Sequence, residues 1–319
     1  MSARTALAAV IVIAAWGTAV ALAVDDEESG ELSTTPRLER SWATALTART
    51  PDPGTAPIGT PLAVRPSASP TPVLVRFRDP PGAGLLFDVE SGEVLWQRHP
   101  RRRLPIASLT KMMTALLIAE RHGLGERVRI SRRAVNFSGS GIGLLPAGRR
   151  VKLRPLLYGL MLVSGNDAAI ALAQHDAGGQ HRFVARMNRR ARALGLTCSR
   201  FSSPSGIRDR GNYSCPLDLA TLARLDLAHP VLRRIVATRR ARFRFPVKGG
   251  VLDLFNINPF ILRGDSGITG IKTGLTEAAG RCYVITARRR GRHLGVVLLD
   301  SPDPLAQVPR LLEAGARVG

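Results

Sequence analysis

Ala107-Ser108-Leu109-Thr110-Lys111-Met112-Met113-Thr114-Ala115 decides the reading of the fold, because it sets a hydroxyl and an amine three residues apart at the head of an apolar run reaching Ala119. On a helix, residues i and i+3 share a face about one turn apart, so the Lys111 amine reaches the Ser108 hydroxyl. Pro105, just upstream, favours a helix beginning here and puts Ser108 in its first turn. There, unpaired backbone N–H groups and the positive end of the helix dipole favour an alkoxide or oxyanion. Serine is a weak nucleophile until a neighbouring base takes its proton, and an uncharged lysine is such a base. Taken alone, the same four residues also describe a capped helix start followed by a solvated lysine.

Composition favours the chemical reading. Of 46 basic residues in 319, only Lys111, Lys152, Lys248 and Lys272 are lysines. Arginine is never deprotonated in a protein, so a chain that defaults to arginine yet keeps an amine at 111 keeps a group able to act as a base. The net charge is +22. Because residues 1–72 hold five basic and seven acidic side chains, the remainder carries 41 against 17. Such a surface attracts anionic wall polymers or lipid head groups, although solvated arginine without a partner gives the same count. Nucleic acid is not expected, since aromatics make up 5% and no zinc pattern or aromatic-interleaved basic stripe occurs.

Working outward, residues 1–24 contain Arg4 and an apolar run from Thr5 to Val24, followed by four acidic residues. This is a signal peptide, with Ala21-Leu22-Ala23 as a small-x-small cleavage site, or a membrane anchor. Either places the rest outside the cytoplasm, secreted or anchored to the cytoplasmic membrane. Residues 25–72, with eight prolines after position 28, read as a disordered Pro/Thr/Ser/Ala-rich tether. A folded domain is expected over 73–303, and 304–319 as a short tail with a brief helix around Leu311. Within the domain, Leu85–Val89 and Val94–Arg98 flank Glu90-Ser91-Gly92 as a hairpin. Leu156–Val163, Ala168–Ala173 and Phe183–Leu194 have the spacing of buried helices, and Ile268–Lys272, Tyr283–Ala287 and Leu294–Leu299 are β-type runs. Strands at both ends with helices between predict one α/β (α+β) domain, a sheet packed against a helical cluster. Cys198 and Cys215 flank a Pro/Gly loop and are the preferred disulfide pair, leaving Cys282 in an apolar strand; three reduced, buried thiols are the alternative. Six histidines are scattered and C-x-x-C is absent, so neither metal nor cofactor is expected.

Two more motifs follow: Ser164-Gly165-Asn166 at the end of an apolar helix, and Lys272-Thr273-Gly274 on a strand. The ordered set S-x-x-K, S-x-N, K-T-G is that of penicillin-binding proteins and class A β-lactamases. With Asp167-Ala168, Phe183, Met187-Asn188, Asp218-Leu219-Ala220, Gly270-Ile271 and Ala279-Gly280 added, the chain resembles the low-molecular-mass D-alanyl-D-alanine carboxypeptidases over roughly residues 76–300. The resemblance implies a β-lactamase/transpeptidase-like fold, an antiparallel sheet packed against helices with a helical subdomain. It implies removal of terminal D-Ala from peptidoglycan pentapeptides through an acyl-enzyme, with β-lactams as acylating inhibitors and no cofactor. Ser108 is then the nucleophile and Lys111 its base. Ser164 relays the proton to the leaving amine, and Asn166 orients Lys111 and the substrate amide. Lys272 and Thr273 attract the terminal carboxylate, Gly274 completes that motif, and the backbone N–H groups of Ser108 and Leu275 form the oxyanion hole. Two departures stand out: Asn256-Ile257-Asn258 lacks the arginine some members carry there, leaving Arg263, Arg281 or Arg292 to take its place, and Ser203-Pro204-Ser205-Gly206 replaces N-P-x-G. Competing readings are a D,D-endopeptidase using the same residues, a β-lactamase needing a carboxylate such as Asp167 or Asp176, and a non-catalytic basic wall-binding protein.

Overall fold

The computed structural model describes residues 61–64, 72–208 and 210–318; the expected signal or anchor, and the tether apart from 61–64 and 72, lie outside them. In chain order the elements are β1 (Ala83–Asp88), β2 (Val94–Arg98), β3 (Leu104–Pro105), a 3-10 turn (Ala107–Leu109), α1 (Thr110–Arg121), β4 (Arg127–Arg129), α2 (Arg132–Val135) and β5 (Arg150–Lys152). There follow α3 (Leu153–Leu162), α4 (Asn166–Ala177), α5 (Gln180–Ala193), β6 (Tyr213–Ser214), α6 (Pro216–Ala228), α7 (Pro230–Ala237), β7 (Arg240–Arg244) and β8 (Val251–Phe255). The chain closes with α8 (Pro259–Leu262), β9 (Ile268–Thr276), β10 (Gly280–Arg289), β11 (Arg292–Leu299) and α9 (Pro304–Ala316).

One five-stranded sheet, ordered β2-β1-β11-β10-β9, organises the fold, and every pairing in it is antiparallel. Its central strands read as unbroken apolar runs because both faces are covered, so alternation sorts side chains between two cores rather than between core and water. Leu85, Phe87, Val284, Val297 and Leu299 join the core shared with the helical cluster. Leu86, Ile285, Val296 and Leu298 join the core under α9. The expected hairpin is present, its turn held by Asp88 Oδ1, which accepts the N–H groups of Glu90 and Ser91, and by Gly92 at φ +80°. Thus β9 lies at one edge of the sheet, with its outer backbone row unpaired by any strand among the described residues.

Two boundaries differ from the sequence reading. The segment 304–319 is no tail: α9 runs thirteen residues, and Val308, Leu311 and Leu312 are buried against the sheet. Each such side chain contributes roughly 1.5–3 kcal/mol, so a domain cut at 303 would bare one face of the sheet. Residues 61–64 also belong to the body. Val64 is buried, its N–H bonds to Thr221 Oγ1 at 3.0 Å, and Arg224 donates to the carbonyls of Leu62, Val89 and Glu90. A proline-rich composition hid this strap because its partner, Arg224, lies about 160 residues away.

Candidate active site

Ser108 sits in the 3-10 turn that leads into α1, one step before the regular helix the spacing suggested. Ala107, at φ +45°, bends the chain so that the turn meets the edge strand β9. One turn on, Lys111 Nζ lies 2.8 Å from Ser108 Oγ and donates to the Ser205 carbonyl at 2.8 Å. A neutral amine has two N–H bonds and one lone pair, so one N–H held by Ser205 still leaves the lone pair for the serine proton. Lys111 is wholly buried. Burial, helped by the nearby charge of Lys272 and opposed by Asp167, holds its pKa well below the usual lysine range.

The loop 203–206 that carries Ser205 departs from the resembling family, and its local bonding accommodates the change. Ser203 Oγ accepts the Gly206 N–H at 2.9 Å, closing the turn in the way a short polar side chain does. Thr114 Oγ1 donates to Pro204 O at 2.7 Å. Gly206, at φ +79°, leaves no room for a side chain, since an added Cβ would sit 1.9 Å from Ala107 O.

The α3–α4 junction supplies the next pair. Ser164 follows α3 at φ +59°, a strained value for a residue with a side chain, and Asn166 opens α4. Asn166 donates to Ser138 O at 2.6 Å, while Ser164 Oγ and Asn166 Oδ1 are buried without a hydrogen-bond partner among the described residues. Buried polar atoms are rarely left so, and an unpaired hydroxyl beside an unpaired amide oxygen suits a site that completes its bonds on a ligand. Asp167, one of the two carboxylates a β-lactamase reading would need, is a scaffold for the loop. Its carboxylate accepts N–H bonds from Ile142, Gly143 and Ala168 and so fixes the loop after Ser138. Asp176, the other carboxylate considered for a hydrolytic water, lies at the far end of α4 in contact with Arg121, Arg186 and His122.

The third component is β9. Strand alternation puts Lys272 and Gly274 on the face toward the helical cluster, opposite Val284 and Cys282, and Thr273 and Leu275 on the other face. Lys272 is buried and donates to Thr273 O at 2.8 Å, and burial pushes its pKa down to about 7. Near neutral pH, then, Lys272 is only partly charged until an anion arrives. Gly274 packs on the serine turn so closely that a Cβ there would stand 2.9 Å from Ser108 N. Leu275 is half exposed at the rim. Among the arginines considered for the carboxylate, Arg292 is excluded by position: it binds Asp88 and the Val318 carbonyl at the far end of β10–β11. Arg263 pairs with Asp265, and Arg281, opposite Leu275 in register, donates to Pro302 O. Cys198 and Cys215 form the disulfide, with Cα atoms 5.6 Å apart, and Cys282 is buried in β10. Asp218 braces that loop by accepting from Cys198 N and Ser199 Oγ, each at 2.8 Å.

Comparison with known proteins gives a consistent picture. A family model described as D-alanyl-D-alanine carboxypeptidase matches residues 81–303. D-alanyl-D-alanine carboxypeptidase DacF of Bacillus subtilis is 32% identical over 239 residues, covering 72% of this chain and 61% of that protein. D-alanyl-D-alanine carboxypeptidase DacB2 of Mycobacterium tuberculosis is 36% identical over 217 residues, 67% of this chain and 73% of its own length. A crystal structure of a D-alanyl-D-alanine carboxypeptidase from Mycobacterium tuberculosis superposes with TM-score 0.72 at 31% identity, over 79% of this chain and 97% of that one.

Proposed function

The chain belongs to the D-alanyl-D-alanine carboxypeptidase family, and from that premise we propose that it removes the terminal D-alanine of peptidoglycan stem peptides through an acyl-enzyme on Ser108. The observation that carries this reading is the 2.8 Å approach of the buried Lys111 amine to the Ser108 hydroxyl.

The substrate's penultimate carbonyl sits between the edge of β9 and the serine turn, with the backbone N–H groups of Ser108 and Leu275 donating to the developing oxyanion. Lys111 takes the Ser108 proton as Oγ bonds to the carbonyl carbon. It then hands a proton to Ser164, whose own hydroxyl proton goes to the departing amine nitrogen as the C–N bond breaks, so D-alanine leaves and Lys111 is again neutral. Asn166 makes no hydrogen bond to Lys111, whose amine is held by Ser108 and Ser205, and its unpaired Oδ1 is free to accept the substrate amide N–H. Lys272 and Thr273 receive the terminal carboxylate, whose charge draws Lys272 to its protonated form. Water then adds to the acyl carbon, with its proton returning through Lys111 to Ser108 as the ester breaks. β-Lactams, which present a strained amide and a carboxylate in the same places, acylate Ser108 and inhibit. A cross-linking endopeptidase would use the same groups, and the product distinguishes them.

The active domain works outside the cytoplasm, secreted or membrane-anchored. The apolar run Thr5–Val24 and the Cys198–Cys215 disulfide support this placement. The strongly basic surface suits anionic wall polymers or lipid head groups.

The test is the intact mass of the full chain after penicillin treatment, beside Ser108→Ala, together with D-alanine release from a pentapeptide. One drug adduct on the parent, none on the variant, and free D-alanine as product are expected. Rapid drug turnover without an adduct would point to a β-lactamase, cleavage of cross-linked dimers alone to an endopeptidase, and inertness toward all of them to a non-catalytic wall-binding role.

A further inference from the structure

Away from the active site, the far ends of α1 and α4 bring together side chains that the sequence scatters. His122 caps α1, Glu126 follows in the turn before β4, and His175 lies in the last turn of α4. Glu126 Oε2 is 3.0 Å from His122 Nδ1 and 2.8 Å from His175 Nε2, and the three donor atoms lie within 4.8 Å of one another. We propose that His122 Nδ1, Glu126 Oε2 and His175 Nε2 bind a divalent transition-metal ion, zinc by the nature of the donors, with water completing the shell.

Three observations carry the assignment. First, both ring nitrogens of His122 face carboxylate oxygens, Nδ1 toward Glu126 and Nε2 toward Asp176, each at 3.0 Å, so the ring stands between a donor partner and a supporting carboxylate. Second, the surroundings orient the donors as metal sites require. His122 directs Nε2–H at Asp176, which Arg121 and Arg186 hold in place at 2.7 and 2.8 Å, and the Gly123 N–H binds Glu126 Oε1 at 2.7 Å, turning Oε2 inward. Third, two histidines and one carboxylate form a zinc donor set with a position left open, and the site is reached by solvent, with side chains of His122, His175 and Glu126 exposed by 15, 21 and 40%. Metal–ligand lengths of about 2.1 Å separate tetrahedral ligand atoms by about 3.4 Å, so Glu126 Oε2 needs to part from each histidine nitrogen by only roughly half an ångström.

The ion would clamp the distal ends of two helices whose other ends carry Ser108 with Lys111 and Ser164 with Asn166. Each helix has twelve residues, about 18 Å. Its role is therefore to fix the relative position of the two halves of the catalytic constellation from behind.

The test uses the full chain, untagged, metal-stripped and in detergent. It is dialysed against Zn²⁺ under a competing chelator, beside His175→Gln, Glu126→Gln and Asp176→Asn, each checked for native circular dichroism. One zinc per chain is expected, bound at least 100-fold more weakly in the first two variants and 10- to 100-fold more weakly in the third. Co²⁺ should give a tetrahedral visible spectrum without a thiolate band. Less than a fifth of an equivalent of zinc on the parent chain, unchanged binding in folded Glu126→Gln, or a thiolate band assigning the metal to Cys282, would each overturn the proposal.

Discussion

Lys272→Met tests the electrostatic design of the site in one substitution. The buried amine of Lys272 falls from an ordinary value of 10.5 to about 7. At 1.36 kcal/mol per unit, keeping it charged in the folded chain costs about 5 kcal/mol. The unfolded chain holds this proton up to about pH 10.5 and the folded chain releases it near 7, so between those values the unfolded state binds more protons. Stability therefore rises with pH there, by up to about 1.4 kcal/mol per unit, and is flat with the full penalty present below 7. Methionine keeps the stem and carries no charge. Its advantage over the parent should be largest at pH 6 and smaller by about 2 to 3 kcal/mol at pH 9. Lys111, relieved of a neighbouring charge in the variant, contributes with the same sign. Urea unfolding of both proteins, followed by circular dichroism at several pH values, gives the difference directly. A difference that does not change between pH 6 and 9 would refute the depressed lysine, and with it the picture of an amine that gains its proton when the substrate carboxylate arrives.

Lys111→Arg places a permanently charged group where the neutral base stood, so acylation should slow by about 10²- to 10⁴-fold, read by single-turnover acylation with a chromogenic β-lactam. Cys198→Ala with Cys215→Ala opens a loop spanning a separation of 17 residues; a loss of about 3 kcal/mol in urea unfolding is expected. Gly206→Ala combines a positive φ with a Cβ driven into the Ala107 carbonyl, and should lose at least about 2 kcal/mol. Because that carbonyl belongs to the residue before the nucleophile, acylation should slow in the same variant.

The sheet was legible because each strand is a short apolar run bounded by turn residues, and the hairpin around Glu90-Ser91-Gly92 fell where Asp88 and a left-handed glycine make a turn. Ser108, Lys111, Ser164, Asn166 and Lys272 could be singled out because their residue types serve chemistry and their spacing serves geometry. What stayed hidden depends on partners distant in the chain. α9 was foreshortened since only tertiary burial of Val308, Leu311 and Leu312 distinguishes a docked helix from a tail. The strap at 61–64 depends on Arg224, and the scaffold role of Asp167 on backbone N–H groups that no side-chain pattern announces. The same blindness applies to His122 and His175, which lie 53 residues apart and meet only when α1 and α4 pack.

Several departures from ordinary folding rules meet at the active site, beside others elsewhere such as the left-handed His99, Arg290 and Asp300 and the buried Asp226. Ala107 and Ser164 hold positive φ without being glycine, Lys111 and Lys272 are buried, and Ser164 Oγ and Asn166 Oδ1 lack partners among the described residues. Each of these features is unfavourable by roughly 1–3 kcal/mol or more, and none is needed to close a sheet or pack a helix. They persist because their surroundings leave no alternative: Gly206 and Gly274 press on the serine turn, Asn212 donates to Thr110 beneath it, and Asp167 pins the loop that holds Asn166. Among these features, the lysine pair links stability to catalysis most directly. Burial makes Lys111 a base and Lys272 a receptive cation at one and the same expense, so a substitution that relieves that expense removes the chemistry with it.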